Sequence, residues 1–355
     1  MRHYGEGALL PGGIGMRGRR RCVIDGAAPN TPAGRRLQRL SVCVAIALCL
    51  PLAQAQGVPD GATADPTPDR QADGEPAGAA APLERRWLAR RAPGEDRFLP
   101  PRTTAIMVGG SLAIAAYGKR KWWRDGFNRR FRTVDEDFFG QGTYSGGADK
   151  LGHFYMNYVG TRLFAKLFEW DGNAPARALR LAAAYTLGTF AAVEVIDGFS
   201  RKWRFSKEDL LMNAAGVGAA LLMESNPRLD RMLDLRFQYR PSREGGQGVD
   251  PFGDYSGQTY LVVAKAAAVP ALREHPVLRY AELAVGYGTR GYSAGSDGPR
   301  SRNVYVGVSL NLSELLNGTV FRDAPSAQWF ARTALEFVQV PGTAALARHT
   351  LGRDE

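Results

Sequence analysis

Four apolar blocks of helix length, residues 103–117, 149–170, 176–195 and 206–223, constrain the fold more than any other feature of the chain. Three of them hold uninterrupted apolar stretches of about 10 to 16 residues, shorter than the roughly 20 that a bilayer-spanning helix needs. Small residues recur inside them, as in Gly109-Gly110, Ala182 to Ala184 and Ala214-Ala215-Gly216-Val217-Gly218. Such residues let helices approach closely, as they do in membrane bundles. A four-helix unit satisfies both observations.

A different pattern follows. Residues 259–264, 280–288 and 303–312 read as strands, with Val304, Val306, Val308, Leu310 and Leu312 on one face at period 2, and 291–298 as a turn-rich connection. Residues 325–338, where Phe330, Ala334 and Phe337 recur on one side, suggest a final helix. Three strands are fewer than the roughly eight of an outer-membrane barrel. The expectation is therefore a mainly α protein, α+β overall. A helical domain over 85–235 is followed by 236–355, a small antiparallel hairpin or sheet with a terminal helix packed on it.

The first 84 residues carry an address. Arg35, Arg36 and Arg39 precede an apolar run over 40–52, and Ala53-Gln54-Ala55 follows, which is the pattern of a secretory signal cleaved after Ala55. Residues 56–84, rich in Gly, Ala, Pro, Asp and Thr, read as a disordered linker. The whole chain has 46 Lys+Arg against 35 Asp+Glu, a charge of +11. The leader holds eight Arg and two acids, so without it 38 basic residues face 33 acidic ones, a balance of +5. Cys22, Cys43 and Cys49 leave with it, and the mature chain needs no disulfides in an oxidising compartment. Leu48 makes Cys49 a poor lipoprotein cleavage site, so lipidation is not expected.

The densest basic stretch is Lys119-Arg120-Lys121-Trp122-Trp123-Arg124, continuing to Arg129 and Arg130. Trp123, Phe127 and Phe131 recur every four residues, so a helix here would flank one aromatic stripe with cations, as interfacial helices do at anionic membranes. A packed aromatic face with solvated charges is the plainer reading. Single-stranded nucleic acid would suit the same composition, but export removes it as a partner.

Polar residues inside the apolar blocks are the most informative. Asp149, His153 and Asn157 are spaced i, i+4, i+8, on one helix face, with Lys150 beside them. Glu194 and Asp197 close the third block before the basic turn Arg201-Lys202-Trp203-Arg204, and Ser206 with Asp209 opens the fourth, Asn213 one turn on. A hairpin of these two blocks brings Glu194, Asp197 and Asp209 to one end of the bundle, where His153 can join them. Asp149 suits an N-cap, and Ser206 with Asp209 suits a capping box. Two acids in a last helical turn face the negative end of the dipole and need compensation, for which Arg201 or Arg204 is the simplest source. The alternatives are a ligand or acid-base site built on His153, Glu194, Asp197 and Asp209, or a divalent metal there. No paired-His motif singles out a metal, and no cofactor is assigned. No P-loop or H-E-x-x-H motif is present.

Gly146-Gly147-Ala148-Asp149-Lys150-Leu151-Gly152-His153, then Glu194-Val195-Ile196-Asp197-Gly198, then Ser206 to Asp209 with Asn213 and Gly216, resemble the YfiM-like family of bacterial periplasmic lipoproteins, which has no assigned function. Trp122-Trp123 to Gly140 and Asp254 to Tyr260 look like longer members, so the resemblance spans about 105–312. A looser similarity to VanZ-like membrane proteins rests on Asp149, Lys150, His153, Glu194, Ser206, Asp209, Asn213 and Gly216, with Asp197 departing from that pattern. The resemblances imply an envelope setting. The expected function is a non-enzymatic, membrane-associated or structural component of the periplasm or outer membrane, with a lipid surface or envelope component as partner. The rivals are an enzyme or binder acting on a lipid-linked or cell-wall substrate at the His/Glu/Asp cluster, and a multi-pass inner-membrane protein.

Overall fold

In a computed structural model, residues 99–242, 249–293 and 298–353 are described. The leader, its cysteines and the linker lie outside them. Four long helices come first: α1 (Pro101–Lys121), α2 (Ala148–Trp170), α3 (Pro175–Phe199) and α4 (Lys207–Ser225). Proline occupies the first turn of α1 and α3, where its fixed φ suits a helix start and its missing N–H costs nothing. At the start of α4 the Ser206 hydroxyl accepts the Asp209 N–H. The short strands β1 (Thr133–Val134) and β2 (Phe205–Ser206) pair in parallel beside it. A short helix, α5 (Pro227–Met232), then leads into the sheet.

That sheet contains β3 (Leu233–Tyr239), β4 (Gln258–Lys265), β5 (Ala281–Arg290), β6 (Ser301–Leu310) and β7 (Ala344–Arg353), in that order and antiparallel throughout. Helices α6 (Leu312–Gly318) and α7 (Pro325–Phe337) connect β6 to β7. Helix accounts for about 52% of the described residues and strand for 21%, so the fold is mixed α+β rather than mainly α. The expected three-strand element is a five-stranded sheet, and the expected final helix is followed by a strand.

Helix α2 is central. One cluster, with Phe168, Ala178, Leu179, Ala182 and Tyr185, joins α2 to α3 and takes in Ile106 and Met107 of α1. A second, with Tyr158, Ala220, Met223 and Phe337, joins α2 to α4 and α7, and Leu233 and Leu235 of β3 pack on it. A Cβ on Gly216 would lie 2.1 Å from the Phe154 carbonyl oxygen, so α2 and α4 touch backbone to backbone there. Arg162 of α2 is buried and bonded to Tyr158, Glu224, Asp230 and Glu336, tying α2 to α4, α5 and α7.

The stretch with the i, i+4 aromatics is not a helix. Helix α1 ends at Lys121, and residues 122–132 run irregularly, with a bridge from Phe127 to Ser200. Trp123 is buried and would meet any side chain at Gly118, while Phe131 packs on Phe199 and Phe205. The aromatics hold the loop to α3, which the dense cations and lone spacing could not indicate.

The valine face of β6 points outward. Val306 and Val308 are exposed, whereas Asn303, Tyr305 and Ser309 are buried. Leu312 belongs to α6 and not to the strand.

Candidate functional site

Helix α2 begins where Gly147, at φ +94°, turns the chain; a Cβ there would strike Phe139. Gly147 is the N-cap residue, and Asp149, expected to cap, turns its carboxylate into the bundle instead. Lys150, fully buried, sends Nζ to Asp209 Oδ1 at 2.6 Å and Asp149 Oδ2 at 3.3 Å, and bonds Glu136 as well. It lies 5.8 Å from the centre of the Tyr144 ring, and the Tyr255 hydroxyl donates to Asp149 Oδ1 at 3.2 Å.

His153, one turn on, stands between two sets of acceptors. Its Nε2 lies 3.8 Å from Asp149 Oδ2 and 3.7 Å from Asp209 Oδ1. Its Nδ1 lies 3.1 Å from Asn213 Oδ1 and 3.4 Å from Glu194 Oε1. Asn157 donates to both the His153 carbonyl and Asn213 Oδ1, which fixes the turn. Asp197 accepts the Trp123 indole N–H at 2.5 Å. The structure thus gathers His153, Glu194 and Asp209 with Asp149, Lys150, Asn157 and Asn213, while Asp197 reaches outward to Trp123.

The expected arginine clasp is absent among the described residues. Arg201 donates to the Phe127 carbonyl, and no ion pair joins Arg201 or Arg204 to Glu194 or Asp197. Ser206 caps α4, but Asp209 turns to Lys150 rather than closing a capping box. Sequence reasoning missed Glu136, Tyr144, Tyr255 and the Trp123 indole, because each arrives from a loop or a short 3-10 turn.

The electrostatics follow from burial. Glu194 is 1% exposed, and burial pushes its carboxyl up to about 8 against the pull of His153. Burial likewise lifts Asp197 and Asp209 to about 6. Burial works against ionisation of Asp149 too, but His153 and Lys150 outweigh it and hold that carboxyl below its ordinary range. Burial also opposes charge on His153, and Asp149, Asp209 and Glu194 overcome it, raising the imidazole to about 9. At neutral pH the site therefore holds an imidazolium, a lysine ammonium, ionised Asp149 and Asp209, and a protonated Glu194.

Asp149, His153 and Asp209 offer ligand atoms within 4.8 Å of one another, a spacing compatible with a metal ion. The Lys150 ammonium already lies against two of the three, so a cation is in place and a second would be repelled. What the site lacks is saturation: Glu194 Oε1, Asn157 Oδ1 and Asn213 Nδ2 are buried without hydrogen-bond partners. Orphaned buried polar atoms each need an explanation, an unseen water or ligand being the commonest.

The fold and site describe a helical polar cluster backed by a small antiparallel sheet. Residues 135–225, which contain all of α2, α3 and α4, match the family described as predicted periplasmic lipoprotein (DUF2279). The match supports an exported, periplasmic setting. No curated protein and no solved structure matches the chain. One helix among the described residues, α3, is long and apolar enough to cross a membrane, and 39% of its most apolar window is buried within the fold.

Proposed function

We propose that this chain is a membrane-associated protein of the cell envelope, facing the periplasm, which binds a polar ligand at His153 and exchanges a proton with it. The unsaturated, acid-rich state of the cluster carries this reading. Glu136, Asp149, Glu194 and Asp209 share one lysine and one histidine, and three buried polar atoms beside His153 have no hydrogen-bond partner. A clasp serving only packing gains most when every buried group is satisfied, since a half-satisfied network costs more than an apolar one. The expectation of a purely structural clasp is the weaker for that.

Each residue has a part. Lys150 keeps Asp149 and Asp209 ionised, and they keep His153 protonated and oriented through Nε2. Nδ1 faces Glu194, whose buried carboxyl holds a proton in reserve for the imidazole. His153, about one-fifth exposed, is the member a ligand can reach. The ordered motifs of α2, α3 and α4 support a YfiM-like relationship for this site, and the family match supports its periplasmic setting.

The test uses cells whose only copy of the gene carries His153→Gln or Glu194→Gln. Melting temperature, protein abundance and sensitivity to detergents and envelope-directed antibiotics are read together. Folded, abundant variants with a lost envelope phenotype are expected. Stable variants with a wild-type phenotype, or a phenotype wholly explained by missing protein, would overturn the proposal.

A further inference from the structure

The buried face of the sheet carries charged side chains among the apolar Leu261, Val263 and Ala284. Asp234, Arg236, Glu282 and Ser309 are all buried on one face. There the Arg236 guanidinium grips both oxygens of Glu282 at 2.7 Å and reaches Asp234 at 2.6 Å, Ser309 donates to Glu282, and Lys265 closes on Asp234 at 2.6 Å. Part of the opposite face is aliphatic. Its register sets Val262, Val285, Val306 and Ala347 side by side in one row, and Ala264, Leu283, Val308 and Ala345 in the next. All eight are exposed, and Val262, Leu283, Val285, Val306 and Val308 are each 45 to 67% accessible. Two complete rows across four strands hold no charge and no side-chain hydrogen-bonding group.

Segments at the same end of the sheet expose further apolar side chains. The connection from β4 to β5 exposes Val269, Val277 and Leu278, and the segment after β6 exposes Val320, Trp329 and Phe330. Arg273, Arg322 and Arg332 are exposed among them, with Glu274 and Asp323 alongside, so the fringe carries both signs of charge in near balance.

We propose that this sheet face and its adjoining loops insert into the surface of a phospholipid bilayer. Three features select lipid over a protein partner. Soluble proteins rarely leave so large a contiguous apolar patch. The centre is purely aliphatic, whereas protein interfaces concentrate Trp, Tyr and Arg at their energetic centre. The fringe places aromatic rings and charges of both signs around it, which complements zwitterionic headgroups as the aromatic girdles of membrane proteins do. A face that binds by apolar insertion and carries little net charge is insensitive to salt. That separates it from the basic stretch at Lys119 to Arg132, whose attraction to anionic lipid would be screened.

Flotation of the purified full-length protein with phosphatidylcholine vesicles, at low and high salt, tests the proposal against the variant Val285→Glu/Val306→Lys. The two positions face each other across β5 and β6, so the introduced charges pair. Wild-type protein should float at both salt concentrations, and the variant should bind at least fivefold less while melting within a few degrees of wild type. Val285→Thr/Val306→Thr, which keeps side-chain shape, serves if the charged variant does not fold. Failure of the wild type to float, or flotation equal in the folded variant, would overturn the proposal. So would a wild-type dimer in size-exclusion chromatography that the variant dissolves without losing vesicle binding, since a second copy would then own the face.

Discussion

Glu194→Gln removes the most strongly shifted carboxyl of the cluster, and its effect can be worked through pH. Folding raises Glu194 from 4.5 to about 8, so between those values the folded chain holds a proton that the unfolded chain releases. The same is true of His153 between 6.5 and about 9. In both windows the native state binds more protons, so stability is greatest on the acid side and is lost as pH rises. Asp197 and Asp209, raised from 3.8 to about 6, add slope of the same sign below pH 6, which leaves 6.5 to 8 as the interval belonging to Glu194 and His153. Each extra proton contributes a slope of about 1.4 kcal/mol per pH unit. Two independent groups would give just under about 3, and their mutual interaction makes them titrate as a pair, so about 1 to 2 kcal/mol per unit is expected. For a fold of this size that is a fall of roughly 3 to 6 °C in Tm per pH unit. Glu194→Gln should lower this slope, leaving only the share of His153, and should be no less stable than wild type at pH 8. Thermal melts followed by circular dichroism in half-unit steps at constant ionic strength measure it. A wild-type Tm that is flat or rises from pH 6.5 to 8, or a variant with the wild-type slope, would refute the reasoning.

Three further substitutions probe the frame that holds the cluster. Gly216→Ala places a methyl 2.1 Å from the Phe154 carbonyl and should cost about 1 to 3 kcal/mol as overpacking, whereas Gly218→Ala, with nothing within 4 Å, should be neutral or slightly stabilising; equal denaturation midpoints for the two would contradict the close crossing of α2 and α4. Arg162→Met strips Glu224 and Glu336 of their buried partner and should cost about 3 to 5 kcal/mol in urea unfolding, and a loss under about 1 would mean the clamp is not held in solution.

The four long helices were legible because each block carries an apolar run of helical length bounded by Pro, Gly or charge, and every boundary lies within four residues of the expected one. The convergence of His153, Glu194 and Asp209 was legible for the same reason: a hairpin of α3 and α4 leaves little choice about which ends meet. The irregular path of 122–132 was not, since i, i+4 aromatics look alike whether they line a helix or pin a loop to three different neighbours. Strand β3 has a readable period-2 pattern, Leu233, Leu235 and Phe237 alternating with Asp234 and Arg236, but in an ordinary sheet that pattern places the charge on the water side. Here those charges are paired indoors, and only Glu282, on β5 two strands away, reveals it. Strand β7, Ala- and Arg-rich, has too little alternation to announce itself.

The segment around Val338 has a temporal consequence. Val338 bridges Phe237 on the β3 edge, Gln339 donates to the Phe237 carbonyl, and a few residues later the same stretch becomes β7 on the far edge, against β6. The Tyr155 hydroxyl of α2 meanwhile bonds the Phe337 carbonyl, 182 residues away. Both borders of the sheet and one wall of the helical core thus wait on residues 337–353, the last part of the described chain to leave the ribosome. Contacts of such separation form slowly, so the chain stays incompletely folded until its C-terminal segment is available. Delayed closure of this kind is compatible with passage across a membrane in an unfolded state.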